Sequence, residues 1–291
     1  MKNLYLALLF SPALAFAQSS DLYLFDLHTL SDVRQISNPR LLSGFNPDGY
    51  TNQPVFLDLF KLVVSAGPDT APAQTDLYEL NLRANQLTRL TRTIDREYSP
   101  GIDPEKGYIS CVLVDVKKDD EQKLWKYPVD RSTGGKAVLK GIKDVGYYTW
   151  IDDEWIAVFQ VGDPSQLHLY NVRTDEKRFV SSKVGRCLKK LPGGALAYIH
   201  KISEDYWFIK KIDPANYSID VIKKTLPGSE DFEVMRDGTL LMAKGSKIYT
   251  LRNEEGSQWI EIADLKSAGL ASISRLAYNG VNLLAVVNSH E

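Results

Sequence analysis

The chain has 291 residues, 44% hydrophobic, 10% aromatic and 25% charged, which is globular usage and excludes a disordered, collagenous or coiled-coil chain. Its 35 Lys and Arg against 37 Asp and Glu give a net charge of −2, so no basic excess exists to hold nucleic acid. Two cysteines are too few for a disulfide framework, and the length suits one large domain or two small ones.

Met1-Lys2 is followed by a mostly apolar run, Asn3 to Ala17, broken at Ser11-Pro12 and ending Ala15-Phe16-Ala17. A basic start, a short apolar stretch and small residues at the end make a secretory signal peptide cleaved after Ala17. The run is too short and too interrupted for an anchor, and no Cys follows it to carry a lipid. No later stretch reaches the roughly eighteen apolar residues of a membrane span. The expectation is an exported chain, periplasmic or secreted, with residues 18–291 as one folded domain.

Beyond Ala17 short apolar runs recur, each after a small turn. The turns begin at Asp58, Asp103, Asp152, Pro192, Arg236 and Asn279, in steps of 45, 49, 40, 44 and 43 residues. The runs behind them include Lys61–Val64, Tyr108–Val114, Trp155–Phe159, Ala195–Ile199, Thr239–Met242 and Val281–Val287. A second series holds the same period in a different phase: Leu22–Leu27, Leu77–Leu82, Leu124–Val129, Leu167–Val172, Tyr206–Ile209 and Ile248–Leu251. Each member is followed by a charged turn and one more short strand. Four strands in about 44 residues, repeated six times, predict an all-β, six-bladed β-propeller with four-stranded blades. The chain opens on an outer strand pair and closes on an inner pair. The N-terminal outer strands are therefore expected to complete the blade begun by the C-terminal inner strands, sealing the ring and removing open sheet edges. A β-sandwich or two all-β domains is the less consistent alternative, since no linker divides the chain.

One repeat carries a family resemblance. Asp76-Leu77-Tyr78-Glu79-Leu80-Asn81-Leu82, then Leu87-Thr88-Arg89-Leu90-Thr91, then Tyr98-Ser99-Pro100-Gly101-Ile102-Asp103-Pro104-Glu105-Lys106-Gly107 resembles the repeat of TolB-like propellers. The other repeats depart from it: Asp152-Asp153-Glu154 and Pro192-Gly193-Gly194 lack the Pro-Asp-Gly turn. In period the resemblance extends from about Asp21 to Glu291, and it implies a six-bladed propeller of the Gram-negative cell envelope. The family's namesake carries a further N-terminal domain, expected to be missing here, and works with a peptidoglycan-associated lipoprotein.

No two of His28, His168, His200 and His290 stand at metal-ligand spacing, and His168 occupies a column held elsewhere by Tyr23, Tyr78, Trp125 and Tyr249, so it reads as a packing residue. Cys111 and Cys187 fall in non-adjacent blades and read as small buried hydrophobes. A Gly-x-Ser-x-Gly elbow, a Walker loop and a dinucleotide fingerprint are all absent from the sequence. No cofactor or metal is expected.

The segments joining one blade's outermost strand to the next blade's innermost gather, in propellers, around the channel mouth. Here they are 38–52, 93–99, 141–148, 181–186, 226–232 and 264–272. They contain Arg96, Tyr98, Tyr147, Tyr148, Arg186 and Phe232, with Phe45 and Tyr50 on the longest. Tyr and Arg are the residues that most often anchor interfaces. These residues are the expected partner-binding set of a non-enzymatic propeller that binds a protein or cell-envelope component. The oligomeric state is open, with a monomer as the default. The alternative is a carbohydrate-active hydrolase or lyase drawing on Asp95, Glu97, Asp144, Glu230 or Asp231, which would need two facing carboxylates about 5–10 Å apart.

Overall fold

Successive side chains of a strand point to opposite faces, so a run such as Leu283–Val287, apolar throughout, must be covered on both. The computed structural model shows how. It describes residues 19–30, 33–68, 74–105, 107–130 and 132–290; the expected leader, 1–17, lies outside the described residues. The described residues open on a strand pair, β1 (Ser20–Leu30) and β2 (Val33–Leu41). Blade 1 is β3 (Tyr50–Phe56), β4 (Lys61–Gly67), β5 (Asp76–Asn81) and β6 (Gln86–Arg89). Blade 2 is β7 (Arg96–Ile102), β8 (Tyr108–Asp115), β9 (Glu121–Pro128) and the two-residue β10 (Lys136–Ala137). Blade 3 is β11 (Val145–Trp150), β12 (Trp155–Gln160), β13 (Gln166–Asn171) and β14 (Lys177–Ser182). Blade 4 is β15 (Val184–Lys190), β16 (Leu196–Ser203), β17 (Tyr206–Ile212) and β18 (Ile219–Lys224). Blade 5 is β19 (Phe232–Val234), β20 (Leu240–Lys244), β21 (Lys247–Leu251) and β22 (Ile260–Asp264). Then β23 (Ile273–Tyr278) and β24 (Leu283–Ser289) pair with β1 and β2 to make blade 6.

The closure is long. β1 runs antiparallel to β24 from Ser20 opposite Ser289 to Asp26 opposite Leu283, and the His290 N–H donates to the Ser19 carbonyl at 2.9 Å. Ser20 is also bridged in parallel to Tyr50 at the start of blade 1, and its buried hydroxyl is shared with Thr51 and Asn52.

The core is divided among the blade junctions, and the alternation of each second strand feeds both of its neighbours. In β24, Leu284 and Val286 pack with Leu241 and Ala243 of blade 5, whereas Leu283, Ala285 and Val287 pack with Leu62 and Val64 of blade 1. In β4, Val63 turns to Ile109 and Cys111 of blade 2. In β12, Ile156 and Val158 meet Val112 and Leu124 of blade 2, while Ala157 meets blade 4. In β16, Leu196 and Tyr198 face blade 3, and Ala197 and Ile199 face blade 5. Cys111 and Cys187 are free and buried, on blades 2 and 4.

The innermost strands are irregular. Register shifts fall at Asn52/Val55 in β3, Tyr98/Gly101 in β7, Val145/Tyr147 in β11, Val184/Leu188 in β15 and Ile273/Arg275 in β23. A bulge leaves a residue unpaired and re-aims its neighbours. Gln53 (φ 56°) and Ser99 (φ 50°) adopt the left-handed conformation, and the Ser99 N–H donates to Gln53 Oε1 at 2.7 Å, pinning blade 1 to blade 2 beside the axis. Among the described residues no helix is long and apolar enough to cross a membrane.

Candidate binding site at the channel mouth

The innermost strands of the six blades line a central cavity of about 380 Å³. Arg96, Tyr98, Tyr147, Tyr148, Arg186 and Phe232, with Tyr50, placed on connecting loops by the sequence, stand on innermost strands instead. The reason is the shortness of some connections: β14 and β15 are joined by one residue, Lys183, whose φ of 54° makes the turn.

At the mouth, side chains from across the ring meet. Arg275 on blade 6 donates from Nη2 to the Tyr147 hydroxyl on blade 3 at 3.1 Å, with its guanidinium 5.1 Å from the Tyr147 ring centroid. Blades 3 and 6 are opposite one another, so this contact spans the channel. Asp231 accepts from Arg275 Nη1 at 3.4 Å and from the Leu276 N–H at 3.2 Å. Arg186 on blade 4 donates from Nη2 to the Ser274 carbonyl at 3.2 Å, and its backbone N–H donates to Glu230 at 2.8 Å. The Arg186 Nε is buried and finds no partner among the described residues. Tyr50 and Tyr98 stand edge to face, with ring centroids 6.0 Å apart. Burial pushes the Tyr50 phenol pKa well up, with Arg275 and Arg186 pulling against it and Tyr147 and Tyr98 adding to it. Burial works against the charge on Arg275, but Tyr147 and Asp231 outweigh it and keep the guanidinium ionised. Deeper in the cavity Lys189 pairs with Glu233 at 2.7 Å; burial opposes the ammonium, and Glu233 holds its pKa above the usual lysine value.

Of the residues singled out in the sequence, Tyr98, Tyr147 and Arg186 are thus brought together with Tyr50. Tyr148 turns toward blade 2, donating to Ser110 Oγ at 2.9 Å. Arg96 forms an ion pair with Asp120 of its own blade. Phe232 is 0% exposed and packs among Ile199, Met242 and Leu251 at the junction of blades 4 and 5, where no partner reaches it. Phe45 packs on Tyr78, ring centroids 5.5 Å apart. Arg275, Lys189 and Glu233 were not anticipated. Their signal is a charge inside an otherwise apolar innermost strand, as in Ile273-Ser274-Arg275-Leu276-Ala277.

Of the acids of the enzymatic alternative, Glu230 and Asp231 line one pocket beside Arg186 and Arg275, and the other three stand elsewhere. Asp95 accepts from the Val116 N–H at 3.1 Å, and Asp144 sits in the turn before β11. Glu97 is fully buried between blades 1 and 2. Glu230 also pairs with Lys201 at 2.9 Å, and Asp231 with Arg275. His168 is buried against Phe179, ring centroids 5.5 Å apart, and burial, with Lys177 adding to it, lowers its pKa to about 4.

Comparison with known proteins places the fold. The chain is similar to a protein assigned as TolB from Agrobacterium tumefaciens, with a TM-score of 0.67 and 9% identity over 94% of this chain and 99% of that one. It is similar to TolB from Acinetobacter baumannii, with a TM-score of 0.55 and 12% identity over 93% of this chain and 64% of that one. A puromycin-hydrolyzing peptidase from Mycobacterium tuberculosis matches with a TM-score of 0.57 and 12% identity over 82% of this chain and 42% of its own. No family model and no curated protein matches the sequence. The fold is that of a TolB-like β-propeller.

Proposed function

We propose that this propeller is an exported, non-enzymatic binding protein that engages a protein or cell-envelope component through the face carrying the channel mouth. The observation that supports it is the Arg275–Tyr147 contact across the opening, joined by Tyr50, Tyr98 and Arg186. Aromatic and guanidinium groups of this kind form the energetic centre of interfaces, because they bury a large area and still satisfy a polar end. A partner segment seated at the mouth gains the unpartnered Arg186 Nε–H as a donor and displaces or stacks on the Tyr147 ring. Within the cavity each carboxylate faces a cation, Asp231 with Arg275 and Glu233 with Lys189, an arrangement suited to holding a shape rather than to moving protons.

The test is affinity capture from a cell-envelope extract with the intact chain as bait, beside Tyr147→Ala, Arg186→Gln and a perimeter control, Phe179→Ala, whose side chain is exposed on the outermost strand β14. A partner retained by the control and lost by both mouth variants supports the site. Equal recovery by all four proteins refutes it.

A further inference from the structure

Two cavities meet at Arg186. One is the central cavity; the other, of about 290 Å³, is lined by the connection between blades 4 and 5 and by the start of β23. Arg186, Asp231, Arg275 and Leu276 belong to both.

The irregularity of its strand places Arg186 there. The register of β15 breaks between Val184 and Leu188, and the Arg186 N–H donates to Glu230 Oε1 at 2.8 Å. Gly185 lets that carboxylate come close, since a Cβ there would stand 3.0 Å from Glu230 Oε1. The side chain then reaches from blade 4 past blade 5 to blade 6, where Nη2 donates to the Ser274 carbonyl at 3.2 Å. A neutral acceptor thus fixes the guanidinium and leaves its charge uncancelled.

The charges around it are otherwise matched. Three carboxylates line the two cavities, Glu230, Asp231 and Glu233. Glu230 pairs with Lys201 at 2.9 Å, Asp231 with Arg275 at 3.4 Å and Glu233 with Lys189 at 2.7 Å. Each also accepts a backbone N–H, from Arg186, Leu276 and Val234 respectively. Arg186 takes part in none of these ion pairs, and its Nε–H is buried with no acceptor among the described residues. Lys244, the remaining cation of the smaller cavity, is exposed at its rim. A buried donor left without a partner costs free energy, which a ligand supplying the acceptor recovers.

The opening limits what can supply it. Arg275 and Tyr147 meet across the channel and bar a main chain from threading it. A side chain reaching down from a segment laid over the mouth meets Arg186 beside that bar. One uncompensated guanidinium calls for one negative charge, and its planar edge matches the two oxygens of a carboxylate. We propose that Arg186 receives a single acidic side chain, Asp or Glu, of the partner segment that docks at the mouth. This inference rests on the mouth being the docking face and adds the chemistry of the group it takes.

The test is an NMR titration of the full chain that follows arginine Nε–H signals, with that of Arg186 assigned by its loss in Arg186→Lys. The probes, at constant ionic strength, are N-acetyl-glutamate α-amide, which carries only a side-chain carboxylate, its glutamine counterpart, which carries none, and N-acetylglycine, whose carboxylate is that of a chain end. The expected result is a saturable shift of the Arg186 Nε–H signal with the glutamate probe, binding of the glutamine probe weaker by about tenfold or more, and no comparable shift at the exposed Arg173. Tenfold is about the size of one charge-assisted hydrogen bond. Arg186→Lys keeps the charge and removes the Nε–H, so the glutamate probe should bind it about tenfold more weakly, read from the Ser274 and Leu276 backbone N–H signals; its thermal transition checks that it folds. Equal binding of the glutamate and glutamine probes, an affinity unchanged in Arg186→Lys, an equal response at Arg173, or tighter binding of N-acetylglycine would overturn the proposal. If the glutamate probe fails while capture from the envelope extract still depends on Tyr147, the carboxylate falls and the docking face stands. Capture indifferent to the mouth variants removes the docking face, and this inference with it, whatever Arg186 binds.

Discussion

Glu97→Gln should make the protein more stable at alkaline pH. Glu97 is 0% exposed and accepts hydrogen bonds from Thr93 at 2.6 Å, Tyr127 at 3.0 Å and Thr91 at 3.3 Å. Burial raises its pKa from 4.5 to about 7; the three hydroxyls pull it down and Asp76 pushes it further up. A carboxyl whose pKa is higher in the folded chain binds its proton more tightly there. Its contribution is therefore fully present below about pH 4.5, declines as pH rises, and is gone above about pH 7. At 1.36 kcal/mol per pKa unit, ionising Glu97 in the folded chain costs about 3 kcal/mol more than in the unfolded one. Gln keeps the shape and the acceptor oxygen without the charge, and its amide can donate to the hydroxyl oxygens, which accept as well as donate. Urea unfolding of both proteins at pH 4.5 and pH 8 measures the difference. The variant should gain about 3 kcal/mol at pH 8 and close to nothing at pH 4.5. A variant no more stable than the parent at pH 8 would show that the pocket does not resist the charge, and the reasoning would fall.

The same experiment on His168→Phe should show the opposite slope. A histidine with its pKa lowered to about 4 contributes stability that is full above about pH 6.5 and lost as pH falls, so the variant should resist acid better than the parent between those values. The two groups oppose one another over an overlapping range, so either single substitution should expose the pH dependence of the other; parallel curves for all three proteins would refute both assignments. Gly101→Ala would place a Cβ 2.6 Å from the Tyr148 hydroxyl, which is fixed on Ser110. We expect a loss of about 1–3 kcal/mol by thermal or chemical unfolding, partly restored by adding Tyr148→Phe, whereas additive losses would show that the two sites do not touch.

The ring was legible because of how its strands are buried. Leu284 and Val286 serve one junction and Ala285 and Val287 the other, so β24 had to be apolar from Leu283 to Val287, and that unbroken run at a fixed interval is what a sequence displays. The position of the closure followed from chain order alone, with Leu22 to Leu27 as an outer strand at the wrong end. The site was legible only in part. Tyr147 and Tyr148 are neighbours in a strand, and one aims across the channel while the other aims at Ser110; the bulge at Val145/Tyr147 that re-aims this stretch is marked only by Gly146, which says that a bulge is there and not where the two rings turn. Phe232 looked like a rim aromatic because it follows an acidic loop, yet it begins β19 and turns into the junction with Cys187. Glu97 stood out only as one of five loop acids, because its burial depends on Tyr127, thirty residues away.

The parallel bridge between Ser20 and Tyr50, together with the hydrogen bond from His290 to Ser19, sets both ends of the ring beside Tyr50 at the channel mouth. Any cargo fused to either end is tethered over the opening, at an effective concentration governed by its linker rather than by bulk dilution. A fusion at these ends would therefore act as a built-in competitor, and handles for immobilisation belong on the perimeter, as at the β17–β18 turn.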